Sequence, residues 1–160
     1  MFTSAALCDA HERTHRSLRK LIAHCGGLEP EALAREFPGF GYPTVPLQLH
    51  HGIAAERYWV GVLQGKMLVD HDAEDYSTIA ALEAFREMIR AATEGYLAGA
   101  SSEELNTPRT MVTWRQAEQV LMPAHVILRT MTHHYQHQGQ IVAMCRLLGK
   151  PIAGTDFPIL

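Results

Sequence analysis

Two histidines one helical turn apart are the residues best suited to chemistry in this chain. His133 and His137 are spaced i, i+4 in an apolar, amphipathic segment, so on a helix their imidazoles share one face. Such a pair can hold one metal ion, but a zinc site in a protein normally has three or four ligands. Another part of the chain must therefore supply a ligand, and the best candidates are His50 and His51.

A second histidine pair shows that this spacing alone is not specific for metal binding. His11 and His15 are also four residues apart, but charged residues lie beside them in the sequence: Glu12, Arg13, Arg16 and Arg19. Such a setting is typical of a solvated or boundary face of a helix. We therefore do not expect this pair to bind metal.

The remaining histidines are weaker candidates. His134 follows His133 directly, and a step of about 100° around the helix turns its ring away from an ion held by His133. We expect it to support the ligands from outside or to pack in the core. His24, His71 and His125 have no partner at ligand spacing, and we expect ordinary hydrogen-bonded residues there.

The pattern around His50 and His51 favours one of the two without deciding strongly. In helical steps, His51 continues through an apolar or amphipathic stripe: Ala55, Tyr58 and Val62. The stripe that contains His50 is more polar: Ala54, Arg57 and Gly61. We favour His51, because an apolar stripe suits a helix face that packs against its neighbours.

The composition limits the class of protein. With 160 residues, 47% of them hydrophobic and 19% charged, the chain is predicted to form one globular domain, residues 1–160. The formal net charge is -3 and no basic run is present, so nucleic-acid binding is not expected. No apolar run is long enough to span a bilayer, and no signal-peptide pattern is found. We therefore predict a cytoplasmic protein with no membrane contact.

Several familiar catalytic motifs are absent. The sequence contains no G-x-S-x-G, P-loop or G-x-G-x-x-G. The acidic residues 70–75 lack the glycine and the final glutamate of a calcium loop, so a solvated turn is expected. Cys8, Cys25 and Cys145 form no C-x-x-C pair and are expected to be small buried hydrophobic residues.

Hydrophobic periodicity predicts four long helices, at residues 4–24, 47–64, 77–97 and 114–148. Pro46 suits the first turn of the second helix, Ser77 is a suitable N-cap for the third, and Pro123 marks a break or a fresh start in the fourth. The predicted connections are residues 28–45 with a helical turn at 31–36, an acidic loop at 65–76, and a loop at 103–111 with an extended stretch at 110–114.

Four long apolar helices, with no convincing strand pattern elsewhere, predict an all-α fold. The economical architecture is a four-helix bundle with short extra helical turns. Bundle cores commonly build metal sites from side chains on facing helices, which suits the histidines.

Two motifs give the chain a resemblance to a known family. His133-x-x-x-His137-x-Gly139-Gln140 resembles the H-x-x-x-H-R-G-Q motif near the C-terminus of the DinB/YfiT-like family. Upstream, His51 is followed five residues later by Glu-Arg and then by aromatic residues, as in the first-ligand helix of that family. The resemblance covers nearly the whole chain in helix order and ligand spacing.

The resemblance implies a four-helix bundle with a metal site at His51, His133 and His137, and it selects His51 over His50. Three neutral histidines leave positions on the ion open for water or substrate, as in catalytic rather than structural sites. The cofactor implied is a divalent metal ion, zinc or nickel.

The motif also departs from the family pattern. Gln138 stands where the family has arginine, which removes a positive charge from the last helix. Gly139 is expected to permit close packing of helices, and Gln140 to support the ligands.

Two classes of function follow from the resemblance. Relatives include thiol-dependent transferases and isomerases, so the first hypothesis is a metal-dependent enzyme, a thiol S-transferase or a hydrolase. Its substrate would be an unknown small molecule, such as a low-molecular-weight thiol. The second hypothesis is a non-catalytic stress-response protein that binds metal or a small ligand. In either case we expect a homodimer, and the sequence identifies no catalytic residue besides the ligands.

Overall fold

The chain folds as a helical bundle with one small hairpin. The computed structural model describes residues 1–69 and 72–160. Its helices are α1 (Ser4–Cys25), α2 (Pro30–Ala34), α3 (Val45–Leu63), α4 (Ile79–Gly99), α5 (Ser102–Asn106) and α6 (Pro123–Leu147). The long helices α1 and α3 each pack against both α4 and α6. Each long helix thus has two long neighbours, as in a four-helix bundle, and the predicted all-α fold is confirmed.

Threonine side chains begin three of the long helices. The Oγ1 atoms of Thr3, Thr44 and Thr78 accept hydrogen bonds of 3.2, 3.3 and 3.1 Å from the backbone N–H three residues later. These bonds satisfy N–H groups that have no partner inside the helix. The predicted cap at Ser77 is therefore wrong by one residue.

A β-hairpin replaces the start of the predicted fourth helix. Strand β1 (Arg109–Thr113) pairs antiparallel with β2 (Ala117–Leu121). Between the strands, Arg115 and Gln116 have φ angles of 61° and 59°, a left-handed conformation that a right-handed helix does not contain. The helical prediction for residues 114–122 is thus wrong, and α6 begins at Pro123, whose fixed φ suits a first turn. The predicted loop at 103–111 is wrong at its start, because residues 103–106 belong to the short helix α5.

Two hydrophobic clusters fill the bundle, one towards each end. The long helices contribute to the first cluster residues that include Leu21, Leu49, Phe85 and Met144. They contribute to the second residues that include Leu7, Leu63, Leu97 and Ile127. On every long helix, buried polar residues lie along the sequence between the two sets: His11, His15, Glu56, Thr93 and His134. A polar layer therefore crosses the bundle between its two apolar clusters.

The remaining expectations concern the loops and the cysteines. Residues Ala73–Tyr76 form a short 3-10 turn, while Asp70 and His71, both named in the sequence analysis, lie outside the described residues. Cys25 and Cys145 are buried, and Cys8 is partly buried. Across residues 1–69 and 72–160, no helix is long and apolar enough to cross a bilayer.

Candidate metal centre

Helices α3 and α6 bring His51, His133 and His137 together, and we call these residues the histidine triad. His133 Nε2 lies 3.3 Å from His51 Nε2 and 3.2 Å from His137 Nε2. A ligand atom of each residue lies within 4.8 Å of those of the other two. The i, i+4 spacing on α6 and the direct packing of α3 on α6 together produce this convergence.

A buried glutamine sets the orientation of His137. The Nδ1 atom of His137 lies 2.6 Å from Gln48 Oε1. The amide nitrogen of Gln48 donates a hydrogen bond to the Tyr42 carbonyl at 2.7 Å. The second bond requires the Gln48 oxygen to face the histidine, so the proton of His137 lies on Nδ1. The Nε2 lone pair of His137 is then free to bind a metal, as in metal sites where a second residue fixes the ligand.

The separations between the Nε2 atoms of the triad suit a tetrahedral metal ion. Zinc holds imidazole nitrogens at 2.0–2.1 Å, which places the nitrogens of a tetrahedral site about 3.3 Å from one another. The two measured separations, 3.2 and 3.3 Å, agree with that value. Three ligands leave a fourth position for water or substrate.

The triad is uncharged at neutral pH. Burial is the main cause that lowers the pKa of His51, His133 and His137 from 6.5 to about 4, and neighbouring histidines lower it further. Because metal binds the neutral imidazole, no proton needs to be displaced from a charged ring at pH 7.

His50 has a different environment from His51. It is 7% exposed and its ring stacks on Phe85, with the centroids 5.8 Å apart, whereas His51 is half-buried and stacks on Tyr42 at 4.0 Å. The structure thus places His51 beside the other two histidines, as expected. The expectation that the His50 side of α3 is the more polar side is wrong, because that ring lies in the apolar core.

An open cavity of about 350 Å³ adjoins the triad. His51 and His133 form part of its wall, and aromatic rings form much of the rest: Tyr42, Tyr58, Trp59 and Trp114. The backbone N–H of Trp114 donates to Tyr58 Oη at 2.6 Å, which attaches the hairpin turn to α3. A small molecule can therefore reach the triad from this side.

The carboxylate of Glu56 is the centre of the polar layer, a role that was not predicted from the sequence. Its Oε1 accepts hydrogen bonds from His11 Nε2 at 2.7 Å and Thr93 Oγ1 at 2.5 Å. Its Oε2 accepts from His15 Nε2 at 2.9 Å and His134 Nε2 at 2.6 Å. All five side chains are at most 2% exposed, and we call them the Glu56 cluster. One carboxylate thus links all four long helices.

The charge of Glu56 is retained despite its burial. Burial alone would raise the pKa of the carboxyl, but His15 and the hydrogen bonds from His11 and His134 hold it well below its usual range. Arg86, on α4, donates to Nδ1 of His15 at 3.3 Å and so places a positive charge behind that ring. A buried carboxylate with four donors and a nearby cation satisfies the general requirement for burying charge.

His11, His15 and Glu56 also lie close enough to share an ion. The bond from Arg86, however, occupies Nδ1 of His15, so the proton of that ring lies on Nε2 and faces the carboxylate. A metal would require the same nitrogen to be unprotonated. The proton positions therefore favour hydrogen bonding in the Glu56 cluster and metal binding in the triad.

The expected solvated or boundary setting of His11 and His15 is wrong, since each is 1% exposed. Their charged sequence neighbours occupy other faces of α1, and the i, i+4 stripe points into the bundle. His134 packs in the core, one of the two roles expected for it, and its ring is hydrogen-bonded to Glu56. A signal was available in the sequence, because a glutamate within the apolar helix α3 requires donors from other helices.

Of the residues that end the motif, Gly139 behaves differently from expectation. Gln138 faces α1, where its Oε1 accepts a hydrogen bond from Ser17 at 3.0 Å. Gly139 is exposed and has open space where a Cβ would lie, so it does not serve close helix packing. Of the remaining histidines, His24 contacts the Lys150 carbonyl. His125 is exposed to solvent, and its ring meets the ring of Phe2 edge to face.

Acid is expected to destabilise the metal-free protein through the Glu56 cluster. Burial is the main cause that lowers the pKa of His15 from 6.5 to about 4, so between these values the unfolded chain binds a proton that the folded chain does not. The low pKa of Glu56 acts in the same direction. Stability is therefore lost as the pH falls from about 6.5 to 4, by about 3 kcal/mol from His15 alone.

Urea unfolding of the metal-free protein at a series of pH values would measure this loss. His15→Asn should reduce the pH dependence without abolishing it, because the lowered pKa values of His51, His133 and His137 act over the same range. His125→Asn, at an exposed position, should leave it unchanged. An unchanged slope in His15→Asn would show that the cluster does not couple protonation to folding.

The fold and the convergent histidines define an all-α bundle with a candidate metal centre between two of its helices. The family model of the DinB family matches residues 1–160. The chain therefore belongs to the DinB family, which confirms the resemblance seen in the sequence.

A solved structure supports the same fold. The crystal structure of a conserved protein from Enterococcus faecalis superposes with a TM-score of 0.66 at 16% sequence identity, and the match covers 94% of this chain and 99% of that chain. At this identity the likeness concerns the fold alone. No curated protein matches the chain in sequence.

Proposed function

We propose that this protein is a metal-dependent enzyme whose divalent ion is held by His51, His133 and His137. The observation that carries the proposal is the convergence of three Nε2 atoms, two pairs of them 3.2 and 3.3 Å apart. Two of the three residues, His51 and His133, lie in the wall of an open cavity. The fixed proton of His137 and the neutral state of all three rings support it. A site built only for structure would normally be closed by a fourth protein ligand.

Zinc or nickel is the proposed ion, because imidazole ligands suit both. When bound, such an ion lowers the pKa of a coordinated water or thiol, so that a nucleophile is available at neutral pH. The reaction class we propose is thiol S-transfer or hydrolysis. The chain itself orients the ligands, with Gln48 holding His137 and Tyr42 covering one face of His51.

Turnover by protein in defined metal states would test the proposal. Protein as purified, protein stripped with a chelator and protein reloaded with zinc or nickel would be assayed. Two reactions suffice: displacement of chloride from an activated aryl chloride by the thiolate of cysteine or glutathione, and hydrolysis of an activated ester. We expect turnover in the loaded protein, its loss on stripping and its return on reloading.

Two variants complete the assay. His137→Ala should lack turnover, and His125→Ala, on the same helix at an exposed position, should retain it. Stoichiometric metal binding without turnover of any substrate would contradict the catalytic proposal and favour a non-catalytic, metal-binding role.

A further inference from the structure

Among the described residues that line the cavity beside the triad, one, Arg129, carries a permanent positive charge. Arg129 lies one helical turn before His133 on α6 and is exposed to solvent. Its guanidinium lies over the ring of Trp59, 5.3 Å from the centroid. Within residues 1–69 and 72–160 it forms no ion pair, and the described lining of the cavity contains no carboxylate. The positive charge is therefore held in place, and no carboxylate of the described residues neutralises it.

The contact with Trp59 prepares the Arg129 side chain to bind an anionic ligand. A cation–π contact restricts the long side chain and keeps the planar guanidinium near the cavity. Its N–H donors remain available for a carboxylate, which guanidinium groups bind through two parallel hydrogen bonds. The charge also reaches the triad, since Arg129 is among the groups that lower the pKa of His133.

The rest of the cavity wall is aromatic. Tyr58 and Trp114 meet edge to face, with ring centroids 6.2 Å apart, and Tyr42 lies against His51 on the triad side. Aromatic walls of this kind bind flat apolar groups. The described lining thus combines an aromatic wall with one cationic residue, Arg129, which precedes the triad residue His133 by one helical turn.

We propose that this cavity binds a small carboxylate whose anionic group contacts Arg129 and whose flat apolar part lies against the aromatic wall. The inference rests on the proposed function, because it takes the cavity as the substrate site of the triad. It adds the chemical class of the substrate. With its carboxylate at Arg129, the remainder of the molecule extends towards His133 and His51, where a reacting atom would meet the ion.

The chain offers a direct probe of this binding. Its two tryptophans, Trp59 and Trp114, both line the cavity, so intrinsic fluorescence reports on occupancy there. Benzoate and benzamide have the same shape but differ in charge, and both would be titrated into metal-free protein first. We expect benzoate to bind about tenfold more tightly, the order expected for a charge-assisted hydrogen bond. Metal-loaded protein would be titrated in the same way.

A matched pair of variants tests the role of Arg129. Arg129→Gln should remove the preference for benzoate, while Arg146→Gln, an exposed change of the same charge on the same helix, should keep it. Thermal unfolding would verify that both variants fold. Absence of benzoate binding, equal binding of the two probes, or a preference that survives Arg129→Gln would each overturn the inference.

The result is separable from that of the proposed function. If the triad binds metal and the enzyme turns over but benzoate shows no preference, only the inference about the carboxylate fails. If metal-free protein prefers benzoate through Arg129 but His137→Ala binds metal like the unmodified protein, the proposed function fails and the anion site stands.

Discussion

Replacing His137 with alanine is expected to abolish stoichiometric binding of zinc or nickel. The substitution removes one of three converging Nε2 atoms and leaves a two-ligand site, which rarely retains an ion. Loss of an outer partner of a metal ligand already costs about 10–100-fold in affinity, so loss of the ligand itself should cost more than about 100-fold. Elemental analysis of protein purified without added metal, followed by competition titration with a chromogenic chelator, would measure the effect.

Two matched variants make this experiment specific. Gln48→Met keeps the size of the side chain but removes the oxygen that contacts His137 Nδ1 at 2.6 Å, so affinity should fall by about 10–100-fold. His125→Ala removes an exposed histidine of α6 and should change nothing.

An alternative ligand set gives a different pattern. If His11→Ala, rather than His137→Ala, removed the metal, then the Glu56 cluster would be the metal site and the assignment of the triad would be wrong. Unchanged metal content in both variants would contradict a metal site at either group.

Glu56→Gln is expected to lower the free energy of unfolding by about 3–5 kcal/mol, the usual cost of removing one partner from a buried ionic network. The carboxylate accepts four hydrogen bonds through two oxygens. An amide has one oxygen, and its NH₂ group would face the N–H of a histidine. Since the whole stability of a domain is about 5–15 kcal/mol, this change would remove a large share of it.

Urea unfolding followed by circular dichroism would measure the difference. Glu12→Gln is the matched control, because Glu12 is exposed and pairs with Arg90 at the surface at 3.1 Å. Surface pairs contribute about 0–1 kcal/mol, so this variant should unfold almost like the unmodified protein. A change below about 1 kcal/mol in Glu56→Gln would mean that the cluster is not a significant source of stability.

Much of the fold was predictable because it depends on local patterns. Helical periodicity located all four long helices, and the structure confirms the bundle. The error at residues 114–122 arose because an apolar segment between two helical regions reads as helix, whereas the left-handed residues Arg115 and Gln116 turn the chain into a hairpin. That conformation is favoured by the pairing of β2 with β1, which helical periodicity does not reveal. It is also favoured by the contact of Trp114 with Tyr58, which lies 56 residues away in the sequence.

The sequence alone determined that two histidines share a face of the last long helix, because i, i+4 spacing has the same meaning on every helix. With the family motif it also named His51 as their partner, and metal binding by the three remains a prediction. Only the tertiary structure decided the roles of the two histidine pairs. Packing turns His11 and His15 towards Glu56, and it turns His133 and His137 towards His51, with His133 in the wall of an open cavity. That difference depends on how each helix is rotated against its neighbours, which the spacing of residues within one helix does not contain.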